Sequence, residues 1–171
     1  MNDWRKKIKT LKNQKIALLG LGLDNRSLLK LLDYAGGPKE VTICDFRSLK
    51  QLALPKLKYL KLNYQLEEKF NRDLYKFEVL FRSPGWPLAC PGVQEAQRLG
   101  QTDITSPLNL FLELCPSPNL IGVTGSKGKG TTASLIEDIL KKVAGVPGWV
   151  AILASLLWAS YLKSKAMIGS F

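Results

Sequence analysis

The chain contains no histidine among its 171 residues and only three cysteines, Cys44, Cys90 and Cys115. Without imidazole and without a C-x-x-C pair, neither a zinc site nor a redox dithiol is expected. Three widely spaced cysteines do not form a disulfide framework either. We therefore expect reduced thiols and a cytoplasmic protein.

Long apolar runs are also lacking. The first seven residues, Met-Asn-Asp-Trp-Arg-Lys-Lys, have no apolar core, so no signal peptide is expected. The apolar stretch at 150–162 spans only about 13 residues, whereas a membrane helix needs roughly 20. These features predict a chain that does not associate with membranes.

Acidic residues are few compared with basic ones. The chain has 25 Lys and Arg against 14 Asp and Glu, a formal net charge of +11. The basic residues cluster at 5–15 and 56–61, without interleaved aromatics or a recognisable nucleic-acid motif. This pattern favours a solvated surface that attracts small polyanions, and no nucleic-acid partner is expected. An apolar fraction of 46% is enough for a packed core.

A glycine-rich segment joins an apolar strand to an amphipathic helix. It reads Gly-Val-Thr-Gly-Ser-Lys-Gly-Lys-Gly-Thr-Thr at 122–132, between a predicted strand at 120–123 and a predicted helix at 131–143. Such a turn directs several backbone N–H groups and the positive end of the helix dipole at one point, which binds phosphate. The sequence departs from the phosphate-loop consensus G-x-x-x-x-G-K-[ST] at two positions. Val123 stands at the first glycine, and Gly130 separates Lys129 from Thr131.

The segment predicts a nucleoside triphosphate loop. Lys129 is placed to reach the outer phosphates, and Thr131 or Thr132 can offer a hydroxyl to Mg²⁺. Lys129 is therefore the candidate catalytic residue of this loop. The predicted triphosphate-binding residues are Gly125, Ser126, Lys127, Gly128, Lys129, Gly130, Thr131 and Thr132.

The first part of the chain predicts alternating strands and helices. Predicted strands lie at 15–20, 40–44, 77–81 and 103–104, and predicted helices at 27–34, 93–99 and 109–114. Residues 115–119 are predicted to be a linker. We expect an α/β fold: a Rossmann-like parallel-sheet domain at 1–117, the start of a P-loop ATPase domain at 118–147, and an aberrant tail at 148–171.

A glycine turn and a strand-end acid mark a nucleotide site in the first domain. The turn at 20–22 follows the first strand, and Asp45 ends the second. The dinucleotide fingerprint G-x-G-x-x-G is incomplete because Asn25 stands at its third glycine. Phosphate is expected near the turn. Asp45 is expected either to accept a hydrogen bond from a base or ribose, or only to cap its strand.

Five motifs together resemble those of the Mur ligases. They are G-L-G-L at 20–23, T-I-C-D at 42–45, S-P-G at 83–85, D-I-T-S-P-L-N-L-F at 103–111 and the loop at 122–132, in that order. The resemblance extends from residue 15 to about residue 147. It is strongest to the members that add D-glutamate to a cytoplasmic peptidoglycan precursor.

The resemblance implies a function for each site. The first domain would hold the UDP part of UDP-N-acetylmuramoyl-L-alanine rather than NAD, and the loop would hold ATP and Mg²⁺. The substrate carboxylate would be activated as an acyl phosphate, which the amine of D-glutamate attacks. A monomer is expected. The implied UDP-substrate residues are Gly22, Leu23, Asp24, Asp45, Ser83, Pro84 and Gly85.

Two alternatives stay open. Gly130, directly after the loop lysine, is also typical of folylpolyglutamate synthases, so another ligase of the superfamily is one alternative. Those enzymes have no UDP-binding domain ahead of the ATPase. The other alternative is a non-catalytic nucleotide-binding module, such as a dinucleotide sensor or a P-loop protein associated with nucleic acid.

The residues after 147 do not resemble the family. A shifted reading frame lets 147–162 encode W-L-G-G-N-I-G-V-P-P-L-G-F-L and 165–171 encode S-N-D-W-V-V, both typical of Mur ligases. We hypothesise that the reading frame is lost near Pro147, which the nucleotide sequence around that codon would test. Residues 150–162 would then be an exposed apolar segment, and the chain alone would not ligate.

Overall fold

The computed structural model describes residues 4–115, 119–144 and 150–153. The chain divides into two compact units, of which the first ends at Glu113 and the second contains the described residues from Leu114 onward. The predicted domain boundary after residue 117 lies a few residues further along the chain. Each unit is described by itself.

The first unit alternates strands with helices. Its elements are α1 (Trp4–Thr10), β1 (Ile16–Leu19), α2 (Leu23–Ala35), β2 (Glu40–Asp45), β3 (Lys61–Leu66), β4 (Val79–Arg82), α3 (Pro91–Leu99), β5 (Asp103–Thr105) and α4 (Pro107–Leu114). The predicted α/β fold is confirmed, since the five strands form one parallel sheet in the order β3-β2-β1-β4-β5.

The strand order creates a crevice at one edge of the sheet. From β1 the chain continues to β2 on one side and later returns to β4 on the other side. Leu19 is in register with both Cys44 and Arg82, so these three strands end close together. In open parallel sheets, ligands bind beyond the carboxyl ends of the strands where the order reverses.

Both faces of the sheet are covered by apolar side chains. On α2, helical spacing buries Leu28, Leu29, Leu31 and Leu32. The helix ends at Ala35. The next residue, Gly36, caps it in the left-handed conformation with φ 66°, as the glycines at 36–37 predict. A second group of buried residues forms a hydrophobic cluster. It contains Ala17, Leu19, Cys44, Leu74, Leu80, Trp86, Cys90, Val93 and Ala96.

All three cysteines are free and buried. Burial, with a further contribution from the charge of Asp45, raises the pKa of Cys44 to about 12. This thiol therefore stays protonated at neutral pH. In the described part of the chain, no helix is both long and apolar enough to cross a membrane.

Two elements of the first unit were not predicted. Helix α1 lies in the basic N-terminal cluster, and its Ile8 is fully buried. Strand β3 is an edge strand in which polar and apolar residues alternate from Lys61 to Leu66, but none of its side chains is fully buried. The alternation could have predicted this strand. Helix α2 also begins at Leu23, four residues before the predicted start at Ser27.

The second unit contains β6 (Asn119–Gly122), α5 (Lys129–Ala144) and β7 (Val150–Leu153). Strands β6 and β7 pair in parallel, in register from Asn119 with Val150 to Gly122 with Leu153. Residues 150–153 thus form a strand, and the exposure of the apolar segment at 150–162 stays a prediction. Residues 154–171, where most of the predicted aberrant tail falls, lie outside the described residues.

Candidate functional site

The glycine turn after β1 has a conformation that requires glycine. Gly20 has φ 78°, and its N–H donates to the carbonyl of Cys44 at 2.8 Å. A Cβ on Gly20 would lie 2.6 Å from the Oγ of Ser83, closer than real Cβ contacts come. Gly22 is extended and precedes the first turn of α2. The turn therefore brings the ends of β1, β2 and β4 together.

The carboxylate of Asp45 is buried behind this turn. One oxygen accepts the N–H of Leu21 at 2.8 Å, and the other accepts the backbone N–H of Arg47 at 3.0 Å. The Arg47 guanidinium donates to both oxygens, at 2.9 and 2.7 Å, and its Nη2 also donates to the carbonyl of Leu21 at 3.2 Å. The pair thus holds both polar backbone groups of Leu21.

These contacts set the charge state of Asp45. Burial by itself raises the pKa of the carboxyl, but the hydrogen bonds from Arg47 and Leu21 and the Arg47 charge outweigh it, so the pKa lies below its usual value. Both oxygens are engaged within the protein, as expected for a strand-end cap. Direct contact of Asp45 with a ligand stays a prediction.

Asn25 connects β1, its turn and β4. Its side chain is fully buried, and Nδ2 lies 2.7 Å from the carbonyl of Gly20, 3.3 Å from that of Leu19 and 3.2 Å from that of Phe81. Its Oδ1 is buried without a hydrogen-bond partner. The residue at the third glycine of the fingerprint therefore satisfies carbonyls at the point where the strand order reverses.

The turn after β4 forms the other wall of the crevice. Ser83 is buried, and its N–H donates to the carbonyl of Leu19 at 3.0 Å. The adjoining Pro84 and Gly85 are exposed. Trp86 packs beneath them with its ring 5.2 Å from that of Phe70, and its carbonyl accepts from Arg82 at 2.7 Å. The turn is therefore backed by an aromatic pair.

The predicted UDP-substrate residues all lie at the ends of β1, β2 and β4. Leu23 is exposed, and the half-buried Asp24 has its pKa raised by burial. Sequence reasoning missed Arg47, although an Asp-x-Arg spacing at a strand end could have indicated an ion pair. It noted Asn25 only as a missing glycine.

The glycine-rich loop of the second unit precedes α5. Gly125 and Gly128 have φ values of 154° and 76°, where side chains are disfavoured. The Nζ of Lys129 donates to the carbonyl of Gly125 at 2.6 Å, so the lysine folds back over the loop. Thr131 and Thr132 are exposed in the first turn of the helix. These groups fit a phosphate and a hydroxyl-bound cation chemically.

Curated relatives share most of this chain. It is 37% identical over 144 residues to the UDP-N-acetylmuramoylalanine–D-glutamate ligase of Acetivibrio thermocellus, a match covering 83% of the chain and 29% of that enzyme. The enzyme of the same name from Clostridium acetobutylicum is 32% identical over 151 residues, which cover 86% of the chain and 32% of that enzyme. Over most of its length the chain is therefore homologous to ligases of this name.

The chain spans only about 30% of the length of the D-glutamate ligases that it matches. No protein-family model matches the chain. A solved pseudomurein peptide ligase type C from Methanothermus fervidus aligns over 82% of this chain and 32% of its own, at 18% identity and a TM-score of 0.40. A TM-score this low carries no argument about function.

Proposed function

We propose that this chain provides the UDP-substrate-binding domain and the start of the ATP-binding domain of a UDP-N-acetylmuramoyl-L-alanine:D-glutamate ligase. Such an enzyme couples ATP hydrolysis to peptide-bond formation in peptidoglycan precursor synthesis in the cytoplasm. The observation that carries the proposal is the convergence of the turn at 20–22, Asp45 and Ser83 at one sheet edge. Homology to ligases of this name supports the substrate.

The UDP group is proposed to lie along the crevice between β1 and β4. Its diphosphate would meet backbone N–H groups at the turn and at the start of α2, where the helix dipole favours an anion. Leu23 and Asp24 would lie by the uracil and diphosphate, and Ser83, Pro84 and Gly85 would line the opposite wall. Asp45 would act near the uridine, either directly or by fixing Leu21.

ATP is proposed to bind the loop at 125–132. Lys129 would release the carbonyl of Gly125 and contact the outer phosphates. Its 2.6 Å hydrogen bond to that carbonyl lies on an exposed loop, so phosphate oxygens can replace the carbonyl as its partner. Thr131 or Thr132 would hold Mg²⁺, which supplies charge neutralisation on the transferred phosphoryl group. Lys129 adds a fixed positive charge at the same place. The substrate carboxylate would be activated there before the D-glutamate amine attacks.

Calorimetric titration of the 171-residue chain tests the two sites separately. UDP-N-acetylmuramoyl-L-alanine should bind, and Asp45→Ala should weaken that binding while Lys129→Ala leaves it unchanged. Binding of ATP with Mg²⁺ should be weakened by Lys129→Ala and left unchanged by Asp45→Ala. Lys142→Ala is the control for Lys129→Ala, because Lys142 is an exposed lysine of α5 outside the loop.

Two outcomes would contradict the proposal. One is binding of NAD, competitive with the UDP sugar or in its place, which would indicate a dinucleotide module. The other is UDP-sugar binding that is unaffected by Asp45→Ala but lost in Lys129→Ala. That result would place the substrate on the second unit.

A further inference from the structure

A cavity lies at the amino ends of the strands, opposite the crevice described above. Its volume is about 290 Å³, near the lower end of pockets that bind small molecules. The cavity is entirely within the first unit. Its lining residues are Lys12, Asn13, Gln14, Lys15, Ile16, Pro38, Lys39, Glu40, Thr42, Asn63 and Phe77.

The chain connection between β3 and β4 leaves this cavity open. Parallel strands are usually joined by a helix that covers the sheet face, but residues 67–76 form only two single 3-10 turns and their links. Thr42 and Asn63 are paired neighbours on β2 and β3, and both line the cavity. Polar side chains of the sheet itself therefore form part of its wall.

The lining carries an excess of positive charge. It contains Lys12, Lys15 and Lys39 and a single carboxylate, that of Glu40. Among the described residues, Glu40 pairs with Lys61 at 3.7 Å, outside the lining, and none of the three lining lysines forms an ion pair. The three ammonium groups outnumber the carboxylates of Glu40 and Glu78 beside them, so the cavity attracts an anion.

Two of these lysines have fixed backbones. The N–H of Lys15 donates to a carboxylate oxygen of Glu78 at 2.7 Å, and its carbonyl accepts from the N–H of Glu78 at 2.9 Å. The carbonyl of Lys39 accepts from the N–H of Lys61 at 3.0 Å. Their side chains therefore start from rigid positions at the ends of β1 and β2, so less entropy is lost on binding.

A buried acceptor without a partner lies in the same wall. The Oε1 of Gln14 is buried and accepts no hydrogen bond within the described structure. A buried acceptor of this kind costs free energy unless a donor reaches it. Because this oxygen has almost no accessible surface, a ligand in the cavity would reach it only when the Gln14 side chain turns toward the cavity, where a hydroxyl donor would satisfy it.

We propose that this cavity is a second ligand site, which binds a small sugar phosphate. The phosphate group lies among Lys12, Lys15 and Lys39, and the Gln14 side chain turns toward the cavity so that its Oε1 accepts a hydrogen bond from a sugar hydroxyl. Thr42 and Asn63 offer further hydroxyl and amide partners to the sugar. Because the cavity is at the opposite edge of the sheet, the site is independent of the proposed UDP-substrate crevice.

Ribose 5-phosphate titrated into the ¹⁵N-labelled chain tests this proposal. The amide resonances of Gln14, Lys15, Thr42 and Asn63 should shift, and those of the turn at 20–22 should not. Lys15→Gln combined with Lys39→Gln should weaken binding at least about tenfold, as expected for two charge-assisted contacts. Lys50→Gln combined with Lys69→Gln removes the same charge from exposed sites outside the cavity and should leave affinity unchanged.

A second variant separates the sugar contact from the charge. Gln14→Met keeps the side-chain length and removes the acceptor, so it should weaken ribose 5-phosphate binding and leave inorganic phosphate binding unchanged. Three results would overturn the proposal: no shift at millimolar ligand, equal loss of affinity in both lysine pairs, or shifts confined to residues 20–22. The last would assign the sugar phosphate to the UDP-substrate crevice.

Discussion

The Oγ of Ser83 lies 2.6 Å from the position that a Cβ on Gly20 would occupy. The two residues follow neighbouring strands, and a Cβ at Gly20 would require the Ser83 hydroxyl to turn away. Gly22 is different, because a Cβ there would lie 3.9 Å from the Cβ of Ser83, an ordinary van der Waals distance. Gly20 is thus favoured by its positive φ and by this close contact, and Gly22 by neither.

Alanine substitutions at the two glycines should therefore have different effects. Gly20→Ala combines the clash with Ser83 and a left-handed backbone, so unfolding should become easier by roughly 2 kcal/mol. Gly22→Ala should leave stability nearly unchanged, because its φ is −78° and space is available. If a diphosphate approaches the backbone at this turn, Gly22→Ala should still weaken UDP-sugar binding. Urea denaturation and calorimetry measure the two effects. Equal loss of stability in both variants would contradict this account.

The pair formed by the buried Asp45 and the partly exposed Arg47 should make the fold sensitive to acid. The folded pKa of Asp45 is lowered, so its stabilising contribution is complete above the unfolded pKa, about 3.9, and is lost as the pH falls through the folded pKa. At pH 7, Asp45→Asn should reduce the free energy of unfolding by roughly 2 kcal/mol, since Arg47 loses its charged hydrogen-bond partner but keeps contact with water.

The difference between wild type and Asp45→Asn should shrink below about pH 4, where the carboxyl of the unfolded chain takes up a proton that the folded carboxylate does not yet bind. Urea denaturation at several pH values, followed by circular dichroism, measures it. Asp73→Asn is the control, because Asp73 pairs with Lys76 at 2.6 Å on the exposed surface. Its effect should be small at every pH. A constant difference for Asp45→Asn from pH 7 to pH 3 would show that the charge is unimportant.

Gly92 allows helix α3 to approach the loop before β4. Its N–H donates to the Oδ1 of Asn71 at 3.1 Å, and an added Cβ would meet the Asn71 backbone carbonyl and that side-chain oxygen well inside contact distance. Gly92→Ala should destabilise the first unit by roughly 2 kcal/mol. Gly85→Ala is the matched control, because no atom lies within 4 Å of its added Cβ. Equal thermal unfolding temperatures for the two variants would disprove the close approach.

The sequence predicted the parts of this fold that carry a strong local signal. The continuous apolar run of β1 and the glycines that end α2 specify their elements almost alone. Strand β3 also carries a local signal, since polar and apolar residues alternate from Lys61 to Leu66, so it could have been predicted. Helix α1 has a weaker signal, because its sequence is mostly basic and Ile8 supplies the buried contact.

For the site, residue positions were predictable but their partners were not. A strand-end acid and a glycine turn indicated where Asp45 and Gly20 would meet. That Arg47 would occupy both carboxylate oxygens depends on the rotation of a long side chain, which a motif does not encode. The position of Asn25 likewise indicated a departure from a fingerprint, and only the structure shows the three carbonyls that it faces.

Asn25 provides a test of whether those carbonyl contacts organise the turn. Asn25→Asp keeps the size but directs carboxylate oxygens at the carbonyls of Leu19, Gly20 and Phe81, so it should destabilise more than Asn25→Ala. Asn25→Ala should lose roughly 2 kcal/mol of unfolding free energy, because it removes a buried donor and leaves a small cavity. Both should also weaken UDP-sugar binding, since the Gly20 carbonyl is released. Urea denaturation and calorimetry on the three proteins measure these effects. If Asn25→Asp were as stable as wild type, Nδ2 would not be donating to these carbonyls, and the turn would have to be held by Asp45 and Arg47 alone.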